Sequence, residues 1–298
     1  MVSGSDFFTG THSAIVTPFL DAPEENPAID YASLENLIEW QLTTGISGIV
    51  VCGSTGEAAT LSTDEKLAVI RRTVEVVRGR VPVTAGTGTN CTYDSVELTK
   101  RVKSLGVDAV LAVAPYYNKP TQEGLFQHFK AIAEQGKLPV VVYNIPGRSV
   151  VEISAATLGR LAKLSEIAAV KQAVDSASRL LEVQTALDGN AALLAGDDPL
   201  TYAVLSVGGH GVISASATVI PEDMVAITTP GLKGDFKSAL AAQQQALPRI
   251  NALFAETNPI PAKAALKLLG KITSDAVRLP LTRATEQTRT ELKKRIAA

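Results

Sequence analysis

Lysine 171 is the side chain in this sequence best placed to act as a nucleophile. It directly follows the apolar run Ile167-Ala168-Ala169-Val170, which has the composition of a buried strand. An ordinary lysine is protonated at pH 7, and removing that proton costs roughly 4.6 kcal/mol. Burial can lower a lysine pKa by about 3–5 units, and a neutral amine attacks a ketone to form a Schiff base. The location of Lys171 after a buried strand fits this chemistry, but it fits equally well a lysine that pairs with Glu57 across the protein interior.

Polar side chains also follow three other strand-like or turn-like stretches. Tyr143 ends the apolar run 139–143, and its phenol could transfer protons during imine formation or could be a core tyrosine with a satisfied hydroxyl. Ser54 and Thr55 lie in a glycine-flanked turn that can present hydroxyls and amides to a carboxylate, although most such turns are only turns. Arg148 lies in a loop, where it could bind a second carboxylate or simply face water.

Metal chemistry has little support in the sequence. His12, His128 and His210 are isolated, without the H-x-H or H-E-x-x-H spacing of metal sites. Cys52 and Cys91 lack C-x-x-C spacing, and Cys52 has the surroundings of a small buried strand residue. We therefore expect no metal ion and no cofactor.

Short apolar runs alternate with amphipathic stretches of helical length along the whole chain. The runs are continuous rather than alternating in polarity, as is typical of parallel strands that are covered on both faces. They lie at residues 13–16, 48–52, 81–85, 109–114, 139–143, 167–170, 191–195 and 211–213. Ser62 and Glu65 have the spacing of a capping box, which predicts that a helix begins after Ser62.

Eight such strand and helix units predict a (β/α)8 TIM barrel, an α/β fold of about 250 residues. We predict a catalytic barrel over residues 1–231 and a C-terminal helical extension over residues 232–298. A doubly wound open sheet shows the same alternation, but Gly86-Thr87-Gly88 lacks the third glycine of a dinucleotide fingerprint, so a tight turn explains it better. Chemistry in a barrel is found where the C-terminal ends of the strands meet.

Composition narrows the class of protein further. The 298 residues are 46% hydrophobic and 19% charged, with 28 Lys and Arg against 30 Asp and Glu, a net charge of −2. Such a chain has no general attraction for nucleic acid or anionic lipid, and no apolar run approaches the roughly 18–20 residues that span a bilayer. The first ten residues do not resemble a secretory signal, and two cysteines suggest a reducing compartment. We predict a soluble cytoplasmic protein without nucleic-acid or membrane partners.

Taken in order, the strand-end motifs resemble the dihydrodipicolinate synthase and N-acetylneuraminate lyase superfamily of class I aldolases. The resemblance covers nearly the whole chain, and its motifs are specific in combination. They are residues 53–57, Tyr143-Asn144-Ile145-Pro146, Lys171, Gly196-Asp197-Asp198 and residues 208–214. The resemblance continues through Asn258-Pro259-Ile260-Pro261. The synthase branch is indicated by Pro115-Tyr116-Tyr117-Asn118, Gln122-Glu123-Gly124 and Pro146-Gly147-Arg148.

This resemblance implies a lyase that condenses pyruvate with L-aspartate 4-semialdehyde in lysine and diaminopimelate biosynthesis, without a cofactor. Lys171 would form the Schiff base with pyruvate. Thr55 and the backbone at Ile213 would hold the pyruvate carboxylate and neighbouring atoms. The family also implies a barrel with a C-terminal helical extension, assembled as a homotetramer, with a dimer as the alternative.

The remaining roles implied by the resemblance concern protons and the second substrate. Tyr143 would donate and accept protons, connected through Ser54 to Tyr117, which in this family reaches in from a neighbouring subunit. Arg148 would receive the carboxylate of the semialdehyde at the mouth of the site. A lyase of N-acetylneuraminate or of another 2-keto acid is the closest alternative. A non-catalytic barrel with a binding or regulatory role is the alternative from another class.

Several positions depart from the synthase pattern. Many synthases have Thr at the position of Ser54, and Glu-Ala is common after the lysine, where this chain has Gln172-Ala173. Asn90 and Tyr116 match the inhibitor site of lysine-sensitive enzymes, but an Asp at 94 replaces a Glu and a Thr at 63 replaces a His. We therefore expect weak or absent inhibition by lysine.

Overall fold

The computed structural model describes residues 7–22, 26–174 and 176–296, and within them parallel strands form a closed barrel. Strands adjacent in sequence are adjacent in the barrel, and the last strand pairs with the first. The strands are β1 Gly10–Ala14, β2 Gly48–Val51, β3 Val83–Gly86, β4 Ala109–Val113, β5 Val140–Asn144, β6 Ile167–Gln172, β7 Ala192–Ala195 and β8 Gly211–Ser214. The predicted (β/α)8 barrel is confirmed, and the open doubly wound sheet is wrong because β1 and β8 close the sheet on itself.

Helices follow the strands around the outside of the barrel. They are α1 Tyr31–Gln41, α2 Thr63–Val77, α3 Thr92–Lys103, α4 Gln122–Gly136, α5 Pro146–Ser149, α6 Ala155–Ala162, α7 Ala177–Leu187, α8 Thr201–Ser206 and α9 Pro221–Leu232. Beyond the barrel lie α10 Phe236–Leu253, α11 Ile260–Leu268 and α12 Glu286–Ile296. The predicted C-terminal helices are therefore present, while the division of the chain at residue 231 stays a prediction.

The capping box at the start of α2 forms as predicted. The backbone N–H of Glu65 donates to Oγ of Ser62 over 3.2 Å, and the N–H of Ser62 donates to Oε2 of Glu65 over 2.8 Å. Two amides that the helix itself cannot pair are satisfied in this way. Local sequence thus determines where the helix after β2 begins.

The first strand lies further towards the N-terminus than the apolar pattern predicts. The pattern places it at residues 13–16, whereas β1 is Gly10–Ala14 and includes polar Thr11 and His12. Both polar side chains are buried, and the hydroxyl of Thr11 is 2.8 Å from the hydroxyl of Thr228 on α9. An apolar run misplaces this strand because part of its buried surface is polar.

Apolar side chains pack in two places, between the strands and the outer helices and inside the barrel. The inner cluster includes Ala14, Val50, Leu111, Tyr143, Ala169, Ala192, Leu194 and Ile213. Successive side chains of a strand point to opposite faces of a sheet. Lys171, two residues after Ala169, therefore points into the barrel.

The two glycines of Gly86-Thr87-Gly88 allow close packing of strands. A Cβ at Gly86 would lie 1.9 Å from the carbonyl oxygen of Cys52, and one at Gly88 would lie 2.3 Å from the backbone nitrogen of Val113. A side chain at either position would clash with backbone that cannot move aside. Glycine is thus required at both positions because the chain at the end of β3 packs directly against the backbone of Cys52 after β2 and of Val113 on β4.

In the described part of the chain, the longest and most apolar helices still fall short of what crossing a membrane requires.

Candidate active site

Lys171 and Tyr143 are direct neighbours on adjacent strands. They are paired in the register of β5 and β6, and the Nζ atom of Lys171 lies 4.1 Å from the centre of the Tyr143 ring. Their exposed fractions are 6% and 5%. The strand order therefore brings together, inside the barrel, an amine and a phenol that are 28 residues apart in sequence.

Burial lowers the pKa of Lys171 from 10.5 to about 8. The negative charge of Asp198 opposes this shift, and the positive charge of Arg148 adds to it. The alternative pairing of Lys171 with Glu57 is wrong, because Glu57 pairs with Lys263 on α11 instead. Lys171 is thus poised to lose its proton close to neutral pH.

The phenol of Tyr143 is shifted in the opposite sense. Burial raises the pKa of Tyr143 above its usual value of 10, and Arg148 only partly offsets the effect. The hydroxyl therefore carries its proton at neutral pH. Once Lys171 has lost its proton, a protonated phenol beside the neutral amine can supply a proton to a group that the amine attacks.

Asp198 is a buried carboxylate near this pair, and no local feature of the sequence predicts a role for it. It begins a 3₁₀-helix, Asp198–Leu200, which two residues separate from the end of β7. Its Oδ2 accepts from the N–H of Ser216 over 2.7 Å. Burial raises the pKa of Asp198. Gly196, at the end of the same strand, leaves room for the lysine, because a Cβ there would lie 3.0 Å from Cγ of Lys171.

The turn after β2 presents Thr55 to the same region. Thr55 is buried, and its Oγ1 accepts from Nδ2 of Asn258 over 2.9 Å. The hydroxyl of Thr17 holds the turn from the other side by donating to the carbonyl of Gly56 over 2.8 Å. Ser54 is exposed on the wall of the pocket described below.

Arg148 lies on the short helix α5 beyond the end of β5. Its side chain is exposed, and Nη2 donates to the carbonyl oxygen of Asn258 over 3.2 Å. Asn258 therefore contacts two of the three residues predicted to bind carboxylates, Thr55 and Arg148. Asn258 lies in a stretch covered by the resemblance but has no predicted role, because nothing local shows that residue 258 returns to residues 55 and 148.

These side chains line a pocket of about 300 Å³ at the C-terminal ends of the strands. Its wall contains Ser54, Thr55, Tyr143, Arg148, Lys171, Gly196, Asp197, Phe254 and Asn258, among others. Five of the seven predicted site residues thus meet in one place. A second pocket of about 370 Å³ adjoins it and shares Ser54, Tyr143, Arg148 and Asn258.

The other two predicted residues are placed differently. Ile213 is fully buried in the cluster inside the barrel, on β8. Tyr117 is 88% exposed, with a left-handed φ of 76°, and it lines neither pocket. A single chain therefore does not bring Tyr117 to Lys171.

The histidine and cysteine side chains show no sign of a metal site. Burial lowers the pKa of His12 and of His128 to about 4, so both rings are neutral. Cys52 is buried and Cys91 is exposed, and neither forms a disulfide. Across residues 7–22, 26–174 and 176–296, no three His, Cys, Asp or Glu side chains cluster as metal ligands do.

Comparison with known proteins agrees with this geometry. The sequence model of the Dihydrodipicolinate synthetase family matches residues 7–298. The chain belongs to this family. The 4-hydroxy-tetrahydrodipicolinate synthase of Syntrophus aciditrophicus is 48% identical over 96% of this chain and 97% of its own. The predicted resemblance to the synthase branch, and with it the prediction of a synthase-type lyase, is confirmed.

Solved structures of dihydrodipicolinate synthases have the same fold. The chloride-inhibited enzyme from Acinetobacter baumannii, complexed with pyruvate, has a TM-score of 0.93 and 42% identity over 97% of this chain and 98% of its own. A structure described as a monomeric dihydrodipicolinate synthase variant has a TM-score of 0.94 and 38% identity over 99% and 98%. The family likeness thus extends over the barrel and the C-terminal helices together.

Proposed function

We propose that this chain condenses pyruvate with L-aspartate 4-semialdehyde through a Schiff base on Lys171. The observation that carries the proposal is the buried amine with a pKa near 8, in contact with Tyr143 and open to a pocket of about 300 Å³. A pocket of this size suits small keto acids. The names of the relatives, and the pyruvate bound to one of them, support the same substrates.

Pyruvate binds first in this mechanism. The Thr55 hydroxyl and the backbone at the end of β8, near Ile213, hold its carboxylate, and the neutral amine of Lys171 attacks the ketone carbon. Tyr143 donates a proton to the developing alkoxide, and the pyruvate oxygen leaves as water. Loss of a methyl proton from the resulting imine gives an enamine, with Tyr143 and Ser54 carrying protons towards solvent.

The semialdehyde then enters with its carboxylate on the exposed guanidinium of Arg148. The enamine carbon attacks the aldehyde carbon, forming the new carbon–carbon bond, and the aldehyde oxygen becomes a hydroxyl by taking up a proton. The amino group of the semialdehyde attacks the imine carbon and displaces the amine of Lys171. Ring closure thus regenerates the enzyme, and one water is released overall.

Trapping with borohydride tests the first half of this proposal. Incubation with pyruvate and borohydride is expected to add one reduced pyruvate to Lys171, detected by peptide mass spectrometry, and Lys171→Met is expected to abolish the adduct. An unmodified Lys171 in the wild-type chain would show a non-catalytic barrel instead.

The Arg148→Ala variant tests the second half. We expect a rise of roughly 10- to 100-fold in KM for the semialdehyde, since a charge-assisted bidentate contact is lost, with little change in KM for pyruvate. Arg160→Ala, which removes an exposed arginine on α6 outside the pocket, is the control. An unchanged KM for the semialdehyde in Arg148→Ala would favour a lyase acting on a longer 2-keto acid.

We also propose that the chain works as a cytoplasmic homotetramer in which Tyr117 completes a neighbour's site. Tyr117 is 88% exposed and Tyr93 is 72% exposed, an unusual cost for two aromatic side chains facing water. Tyr117 lines neither of the two pockets of its own chain. A partner subunit that covers these rings would both bury them and supply the third hydroxyl of the proposed proton path.

A further inference from the structure

The turn that presents Thr55 is tied to the C-terminal extension by a buried ion pair. Lys263 on α11 pairs with Oε1 of Glu57, and the two side chains are 0% and 1% exposed. The amine of Lys263 also donates to the carbonyl of Ala276 over 2.9 Å, and Oε2 of Glu57 accepts from the N–H of Arg278 over 3.1 Å. The ring of Phe19 covers the amine at 3.8 Å. Both charges are thus held among fixed partners rather than in water.

Glu57 also closes the turn through its backbone. Its φ is 52°, a left-handed conformation that a residue with a side chain adopts only when its surroundings hold it there. In this conformation its N–H donates to the carbonyl of Ser54 over 3.1 Å, so the chain curls around Thr55. The ion pair fixes the side chain of the residue whose backbone shapes the turn.

A second contact from the same part of the extension reaches the turn directly. Asn258, five residues before Lys263, donates to the hydroxyl of Thr55 over 2.9 Å. One segment therefore holds both the hydroxyl of Thr55 and the carboxylate of Glu57. Because two points are fixed, the turn can neither slide nor rotate without breaking a buried polar contact.

Stability alone does not explain two charges at this position. Replacing a buried ion pair by apolar residues of similar volume is often neutral or stabilising, whereas removing one partner is strongly destabilising. We propose that Glu57 and Lys263 are positioning residues for pyruvate, whose ion pair sets the place of the Thr55 hydroxyl. This inference rests on the proposed function, in which Thr55 binds the pyruvate carboxylate.

Steady-state kinetics and melting temperatures of Glu57→Gln, of Lys263→Met and of the double variant test the proposal. Each variant is expected to raise KM for pyruvate roughly 10- to 100-fold, because a small displacement of a binding group is enough for such a loss, while KM for the semialdehyde changes less than about threefold. The double variant has no unpaired buried charge, so its melting temperature is expected to return close to that of the wild type while KM for pyruvate stays high.

Recovery of melting temperature and pyruvate KM together in the double variant would overturn the proposal, since the pair would then be only structural. Lys267→Met is the matched control: Lys267 lies one turn further along α11, and its partner Asp275 keeps Arg283 and Arg289. An equal rise in pyruvate KM in this control would also overturn it. A wild-type chain that forms no pyruvate adduct would overturn the proposed function and this inference together, whereas an adduct with unchanged KM in the Glu57 variants overturns the inference alone.

Discussion

At the scale of single residues, burial makes Lys171 reactive. An amine with a pKa of 10.5 is neutral in only about one molecule in three thousand at pH 7, whereas a pKa near 8 makes about one in eleven neutral. The fraction of Lys171 present as the neutral amine therefore rises about 300-fold, because water is excluded from the barrel interior. Asp198 limits the shift, since its negative charge favours the protonated amine.

The rate of pyruvate attachment is therefore expected to rise with pH through a midpoint near 8. Below the midpoint Lys171 is protonated and cannot attack, and above it the amine is neutral. The initial rate of borohydride-trapped adduct formation between pH 6 and pH 10 measures this midpoint. Asp198→Asn removes a negative charge near the amine, so its midpoint is expected to lie lower. A wild-type midpoint near that of a free lysine would contradict the burial argument.

At the scale of elements, strand ends and helix starts place the site residues. The register of β5 and β6 sets Tyr143 beside Lys171, and the capping box at Ser62 fixes the start of α2 just beyond the turn that carries Thr55. These features depend on neighbours in sequence or on adjacent strands. Strand boundaries are harder to predict from an apolar pattern where the buried residues are polar. The first strand shows this, because the pattern places it at residues 13–16 whereas β1 is Gly10–Ala14.

Ser62→Ala is expected to destabilise the chain by about 1 kcal/mol, because the cap for the N–H of Glu65 is lost. Urea unfolding measures the difference in the free energy of unfolding. Ser104→Ala is the control, since its exposed hydroxyl lies after the last turn of α3 and donates only to the carbonyl of Arg101; we expect a change within about 0.5 kcal/mol. Equal losses in both variants would refute a specific capping role.

At the scale of the whole molecule, the pocket is built from both ends of the chain. Phe254 and Asn258, beyond the barrel, line the same pocket as Thr55 and Lys171. Tyr117 is not supplied by the same chain, because its side chain is exposed and lines neither pocket. We therefore expect Tyr117 of a second subunit to complete the site, and activity measurements on mixed subunits can test this.

Co-expression of Tyr117→Phe with Lys171→Met is expected to restore activity that neither variant has alone. In a mixed pair, the subunit that retains Lys171 receives an intact Tyr117 from its partner, so random pairing gives about a quarter of the wild-type sites. Activity of the purified mixture, compared with the sum of the separate variants, measures this recovery. If the mixture does no better than that sum, Tyr117 does not act across subunits.

The repeated strand and helix units, the cap at Ser62 and the burial of Lys171 at a strand end can all be predicted from the amino-acid order, because they depend on periodicity and on near neighbours. The partner of Glu57 and the double contact of Asn258 with Thr55 and Arg148 are visible only in the folded chain. Those contacts join residues more than a hundred positions apart. They form because closure of the barrel and folding of the C-terminal helices over one end bring these residues together, and no local pattern in the chain encodes that meeting.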